Sequence, residues 1–214
     1  MSKHYPQTSS NLDYQRVLTA INGTPWDFGN SVLYDLCKKY PEHNSDEKIL
    51  AKIWLIGRSY SAAIERRKNS NQTGDVFYLK TVLPTIRGSK IDNWLSSLAN
   101  EKKLTTENYS RIIAVHKMLT DLFFEISGME KRSLASKYLH FHFPHLFYIY
   151  DSRASSAISK ITTGVGRKLP ALISYDNVYA RFFLRCMALV DQITMKYHVE
   201  LTPRQLDTYL LGLD

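Results

Sequence analysis

The sequence predicts an all-α protein. Apolar residues recur at the three- and four-residue spacing of amphipathic helices along most of the chain, and no segment alternates apolar and polar residues long enough to build a sheet. The chain has 214 residues, of which 44% are hydrophobic and 22% charged, so it can bury a sizeable core. We expect about nine or ten helices.

In the first half of the chain, helix starts and stops are marked by capping residues and prolines. Two short apolar faces come first: Leu12, Val17, Leu18 and Ile21, then Val32, Leu33, Leu36 and Cys37, which Pro41 ends. Ser45 with Asp46 and Glu47 predicts the start of a long helix over 46–67 with a basic end. The segment 69–74 predicts a loop, and a helix over 76–83 is expected to stop at Pro84.

In the second half of the chain, helix boundaries are marked in the same way. Ser89 precedes a short apolar helix, and a longer one opens at Thr106 and breaks at Ser127-Gly128. Further helices are predicted over 131–142, from Asp151 to about Ile161, over 177–197, and after the Thr202-Pro203 cap. The segment TTGVGRKLP, 162–170, has no preceding strand and predicts an ordinary loop.

The charge balance indicates a polyanionic partner. Lys and Arg number 28 against 20 Asp and Glu, a net charge of +8, which favours nucleic acid first and a membrane surface second. Two cysteines imply no disulfide framework, and neither a signal peptide nor a membrane-spanning run is visible. We expect a soluble, cytoplasmic monomer without cofactor or metal.

The stretch HFHFPHLFYIYDSRASSAI, 140–158, ends an apolar run on one carboxylate, Asp151. Two interpretations are open. Asp151 can be the N-cap of the next helix. It can also be the reactive group of a dry pocket that the preceding apolar run walls. In such a pocket a carboxylate stabilises positive charge because its field is not screened by water.

Residues 127–158, SGMEKRSLASKYLHFHFPHLFYIYDSRASSAI, resemble the helix–hairpin–helix DNA glycosylase superfamily, including its 8-oxoguanine and adenine glycosylase branches. The resemblance implies two helical lobes around a cleft in one unit, 1–214. The first lobe comprises about 1–44 plus 152–214. The second comprises about 45–151 and contains the hairpin and catalytic segment, 127–151. The implied partner is double-stranded DNA with a damaged or modified base.

The resemblance also implies roles for particular residues. Asp151 corresponds to the catalytic Asp, with Ser133 or Lys137 beside it on one helical face, and the hairpin Gly128-Met129-Glu130-Lys131 lacks the second glycine of the family pattern. Implied DNA-backbone contacts are Lys131, Arg132, Arg153 and, by analogy, Arg58. Candidates for the base pocket are Tyr60, Tyr148, His142 and Trp26. The base is 8-oxoguanine by default, or a modified base of phage DNA in a defence role.

Other patterns compete with this hypothesis. His140, His142 and His145 are close in sequence, but neighbours two apart on a helix point away from each other, which disfavours a metal site. Arg111 and His116 in RIIAVH fit the spacing of the HEPN toxins, a family of all-α ribonucleases. A non-catalytic helical DNA-binding module is a further alternative, which would keep the basic face without needing Asp151.

Overall fold

The computed structural model describes residues 12–68, 71–162 and 174–213, and these contain helices and no β-strand, which confirms the all-α class. Counting the continuous run 74–88 as one helix gives ten helices in the described residues. They are α1 (Tyr14–Asn22), α2 (Trp26–Lys39), α3 (Asp46–Ser59), α4 (Gly74–Phe77), a π-helical segment (Tyr78–Val82), α5 (Leu83–Gly88), α6 (Ile91–Ser96), α7 (Tyr109–Ser127), α8 (Arg132–His142), α9 (Ser152–Ile161), α10 (Asn177–Tyr197) and α11 (Pro203–Leu211).

Helix α8 lies at the centre of the fold. It packs against α2, α3 and α7, while α9 packs against α10 and α11, and α11 packs against α1. Eight of the eleven residues of α8 are buried. The polar residues Ser136, Lys137 and His140 of this helix therefore lie inside the protein.

One helix of the predicted first lobe, α2, packs against helices of the predicted second lobe. Helix α2 packs against α3 and α8, although the predicted division places residues up to 44 in the other lobe. The buried apolar side chains of the described residues also form one cluster from Val17 to Leu210. The arrangement as two lobes around a cleft stays a prediction.

Three predicted helix boundaries are confirmed, and two of them frame the catalytic segment of the resemblance. Gly128 ends α7 in the left-handed conformation, with φ of 66°. Asp151 caps α9 through its side chain, and Thr202 forms a capping box with Gln205 at the start of α11.

The helix predicted over 46–67 is wrong in its second half, because α3 ends at Ser59. The chain turns back at once: Ser61 adopts a φ of 51°, and the backbone N–H of Ala62 donates to the carbonyl of Gly57 at 2.8 Å. A Cβ on Gly57 would lie 3.0 Å from the Cα of Ala63, so the missing side chain permits this close return. The turn places Tyr60 at the end of α3.

The predicted stop at Pro84 is also wrong, because the helix continues from 74 to 88. The π-helical segment Tyr78–Val82 ends two residues before the proline, which lies in the first turn of α5. A wider turn at that point accommodates a residue that has no N–H to donate and whose ring would crowd a regular α-helix.

Most of the predicted loop 162–170 lies outside the described residues. Among the helices of the described residues, none combines the length and the apolar character that crossing a membrane requires.

Candidate active site

Ser133 and Lys137 of α8 meet Asp151 at the start of α9. The Lys137 side chain is 2% exposed, and its Nζ donates to Ser133 Oγ at 2.8 Å. The same Nζ lies 3.5 Å from Asp151 Oδ2. Ser133 and Lys137 are one helical turn apart, so they share a face of α8. The structure thus brings together the three residues that the sequence analysis names as catalytic.

The two carboxylate oxygens of Asp151 have different surroundings. Oδ1 accepts a hydrogen bond from the backbone N–H of Ala154 at 2.9 Å, which caps α9, whereas Oδ2 faces Lys137. The Asp151 side chain is 29% exposed, so the carboxylate reaches solvent while its lysine partner does not. The N-cap interpretation therefore accounts for Oδ1 only, and Oδ2 takes no part in the cap.

Burial lowers the pKa of the Lys137 ammonium, and the carboxylates of Asp151 and Asp207 oppose this effect. The ring of Tyr60 lies beside the same ammonium, with Nζ 5.7 Å from the ring centroid. A lysine whose pKa is lowered carries a larger fraction of free amine near neutral pH, and the free amine is the nucleophilic form.

The apolar segment before Asp151 is a core element, which corrects the expectation that it walls a pocket. Leu146, Phe147, Tyr148 and Ile149 are all buried. Ser136 Oγ contacts both the N–H and the carbonyl of Tyr150, at 3.0 and 3.3 Å. These contacts anchor the segment against α8 and fix the position at which Asp151 emerges.

Tyr148 is therefore a core residue and not an open surface for a base. Its ring packs against Phe183 with centroids 5.1 Å apart, and its carbonyl accepts from the hydroxyl of Tyr179 at 3.1 Å. The ring of a fully packed tyrosine offers no free face to a flipped base.

Helix α11 adds a group that the sequence analysis missed. Asp207 is buried and pairs with Arg204, whose Nη1 donates to Asp207 Oδ2 at 2.7 Å. Arg204 Nε donates to Asp27 Oδ1 of α2 at 3.0 Å. Burial raises the pKa of Asp207 to about 6, with Arg204 opposing the increase. Only the capping box of α11 is visible in sequence, and it says nothing about which face Asp207 occupies.

Of the other predicted base-pocket residues, Tyr60 is closest to this cluster and Trp26 projects into solvent. The Tyr60 hydroxyl donates to Asn30 Oδ1 at 2.8 Å. Trp26 and Phe28 are 79% and 82% exposed at the start of α2, on either side of Asp27. Both rings are adjacent in sequence to Asp27, which accepts a hydrogen bond from Arg204. The sequence analysis did not identify Phe28 as a candidate.

His142 and Arg58 line other depressions. His142 stacks on His43, with centroids 5.6 Å apart, in a cleft of about 780 Å³ that Asp92 and Phe143 also line. Arg58 forms an ion pair with Glu65 and lies over the ring of Trp54. Lys137 and Asp151 contact Ser133, Ala154 and Tyr60. The structure does not bring His142 or Arg58 to this candidate site.

The Gly128 turn lies beside a basic segment. Lys131 Nζ donates to the carbonyl of Arg66, so the turn contacts the segment that follows α3. Arg66 and Arg67 of that segment are exposed, and Arg153 is exposed in the first turn of α9. Arg132 differs, because its Nε donates to both oxygens of Asp176 at 2.8 Å. We regard Arg132 as a structural residue that ties α8 to α10.

The residues of the competing patterns point in different directions. Arg111 is exposed and paired with Glu101, whereas His116 is fully buried and stacked on Tyr179, so the pair does not converge on a phosphate site. His140 and His145 bond to the carbonyls of Phe147 and Glu101, at 2.8 and 2.7 Å. No cluster of metal-ligating side chains is found within the described residues.

Comparisons with known proteins add no relative: no family model, no curated protein and no solved structure matches this chain. We therefore infer function from the local geometry and from the resemblance of residues 127–158.

Proposed function

We propose that the protein is a DNA glycosylase that flips a damaged or modified base out of duplex DNA and hydrolyses its N-glycosidic bond. The contact between Lys137 and Asp151 carries the proposal. The lysine lies on the helix that follows the Gly128 turn, and the carboxylate lies at the start of the next helix. This is the placement that the resemblance to helix–hairpin–helix glycosylases implies for the catalytic Asp and its neighbour.

The chemistry assigns separate tasks to the two groups. As the bond between C1′ and the base nitrogen lengthens, positive charge develops on the deoxyribose, and Asp151 Oδ2 stabilises it. The carboxylate also orients a water whose oxygen bonds to C1′, and the water proton neutralises the departing base. Lys137 supplies an amine that can attack C1′ in place of water, which leads to strand cleavage through an imine.

Binding must offset the cost of removing a base from the stack, which is a few kcal/mol. Arg66, Arg67 and Lys131 beside the Gly128 turn form a basic surface for the DNA backbone, in a chain of net charge +8. Trp26 and Phe28 offer exposed rings that can stack on bases, at roughly 1–3 kcal/mol per base. Stacking of this size is comparable with the cost of removing a base from the duplex.

The test is base release from a panel of duplexes. The panel contains 8-oxoguanine, adenine opposite 8-oxoguanine, other damaged bases, and whole phage DNA with modified cytosines. Each is incubated with wild type, Asp151→Asn or Asp13→Asn, and then treated with alkali to reveal abasic sites. Asn is itself a good N-cap, so Asp151→Asn should keep α9 intact while removing the charge.

Asp13→Asn is the matched control because Asp13 caps α1 through a hydrogen bond from the Gln15 N–H at 2.9 Å. We expect release by wild type and Asp13→Asn, and none by Asp151→Asn, with DNA binding retained in all three. Equal activity of Asp151→Asn and wild type would overturn the proposed mechanism. Release of no base from any member of the panel would overturn the function. Cleavage before alkali would identify the lysine route.

A further inference from the structure

Asp207 has one carboxylate oxygen that nothing in the described part of the protein satisfies. Oδ2 accepts from Arg204 Nη1 at 2.7 Å, but Oδ1 is buried and has no hydrogen-bond partner among the described residues. The residue as a whole is 4% exposed. An unsatisfied buried acceptor costs folding free energy, so such a group calls for a partner from outside the chain.

This acceptor lies on α11, which packs against α9, the helix that Asp151 caps. The Asp207 carboxylate opposes the lowering of the Lys137 pKa by burial, and Asp151 contributes to raising the pKa of Asp207. A chain of contacts leads to the same lysine. Arg204 and Asn30 both donate to Asp27, the Tyr60 hydroxyl donates to Asn30, and the Tyr60 ring lies 5.7 Å from Lys137 Nζ.

We propose that Asp207 reads the flipped base, with Oδ1 accepting a hydrogen bond from an exocyclic amino group on the edge of that base. The proposal rests on the glycosylase function proposed above and names its substrate class. The substrate is an amino-bearing base of the cytosine, adenine or guanine type. The corresponding uracil-type, hypoxanthine-type or xanthine-type base presents a carbonyl oxygen in place of the amino group, and a carboxylate repels that oxygen.

The variant Asp207→Asn reverses the hydrogen-bonding character of the group with little change of shape. Arg204 is a donor, so it selects the amide oxygen of the new Asn, and the amide NH₂ then occupies the position of Oδ1. An acceptor becomes a donor. The preference should therefore move from the amino-bearing base towards its carbonyl-bearing analogue.

Three substrate pairs exchange an exocyclic amino group for a carbonyl oxygen. They are 8-oxoguanine and 8-oxoxanthine, 5-hydroxymethylcytosine and 5-hydroxymethyluracil, and adenine and hypoxanthine opposite 8-oxoguanine. Single-turnover rates of base release give one ratio for each pair and each protein. We expect wild type to favour the amino-bearing member at least about tenfold, since a site built for a donor rejects the analogue that lacks it. Asp207→Asn should lower that ratio at least about tenfold or invert it.

Two further variants make the result interpretable. Asp27→Asn changes the other carboxylate on Arg204, whose oxygens already accept from Thr24 and Asn30, and it should leave the ratios unchanged. Asp207→Ala removes the acceptor without adding a donor, so its ratios should approach one. Unchanged ratios in active Asp207→Asn and Asp207→Ala would overturn the base-reading role alone. Release of no base by wild type from any pair would overturn the glycosylase function, and the base-reading role with it.

Discussion

The buried carboxyl of Asp207 makes a prediction about stability that needs no substrate. Burial raises its pKa in the folded protein to about 6, from an ordinary value of 3.8. Between these values the folded chain keeps a proton that the unfolded chain has released. The free energy of unfolding contributed by this group is therefore greatest below pH 3.8, decreases as the pH rises through this window, and is constant above pH 6.

The size of the effect follows from the difference between the two pKa values. The difference is about two units, and each unit corresponds to about 1.36 kcal/mol, so ionised Asp207 should cost the fold about 3 kcal/mol. The residue is almost fully buried, which means that solvent screening does not reduce this figure much. Asp207→Asn cannot ionise, and its unfolding free energy should lack this pH-dependent part.

Urea denaturation of wild type and Asp207→Asn across pH 4 to 7 measures the effect. All other titrating groups are shared, so the difference between the two curves isolates Asp207. We expect the variant to gain about 2 kcal/mol on wild type between pH 4 and pH 6.5, because part of the full change of about 3 kcal/mol falls outside this range. Parallel curves would refute the reasoning, because they would mean that Asp207 is ionised at the same pH in both states.

Asp176 provides a matched control of opposite sign. It is also buried and paired with an arginine, but the hydrogen bonds from Arg132 and from the Tyr179 N–H outweigh burial and lower its pKa. Its contribution to stability is present above the unfolded pKa of 3.8 and is lost as the pH falls through the folded value. Asp176→Asn should therefore lose stability relative to wild type as the pH rises from acid to neutral.

Three further predictions concern the lysine, the basic segment and the turn after α3. Borohydride should trap a covalent DNA adduct of wild type but not of Lys137→Met, and trapping should increase with pH, half-maximal below pH 10.5, because burial lowers the lysine pKa. An adduct of Lys137→Met as abundant as that of wild type would contradict this. Arg67→Gln should reduce the slope of log K against log salt for duplex DNA by about 1, and an unchanged slope would remove Arg67 from the backbone surface. Gly57→Val should destabilise the fold by roughly 1–3 kcal/mol in urea denaturation. Gly29→Ala should not, because a Cβ at that position meets nothing within 4 Å. Equal unfolding free energies of the two variants would contradict the close return of the chain at Gly57.

The parts of the fold that could be predicted are those determined by residues that are neighbours in sequence. The Gly128 stop, the Asp151 cap and the Thr202-Pro203 start each depend on residues within one helical turn. The same locality made the Ser133–Lys137 pairing visible, because residues four apart share a helical face. Asp151 joined them through the resemblance of residues 127–158 and not through its local pattern, which favoured a cap.

The errors arose where a distant contact overrides a local preference. Nothing near Gly57 signals that Ala63 will pack against it, so α3 looked longer than it is. A proline normally ends a helix, and the π-helical turn that admits Pro84 has no sequence signature. Asp207 and Arg204 were missed because their importance depends on the approach of α11 to α2 and α9. The aromatic run before Asp151 was assigned to a pocket, because an apolar wall and an apolar core look alike in sequence.

The site forms a series of alternating charges across three helices: Asp151 at the start of α9, Lys137 on α8, and Asp207 with Arg204 on α11. Buried ion pairs are weak devices for stability, because apolar side chains of similar size would hold the same helices together without the cost of removing charge from water. Methionine at position 137 would fill the same volume. Lysine adds an amine with a lowered pKa beside a partly exposed carboxylate. Asp207 adds an acceptor oxygen that has no hydrogen-bond partner among the described residues. These are properties that a packed core does not need and that a site for reaction on a flipped base requires.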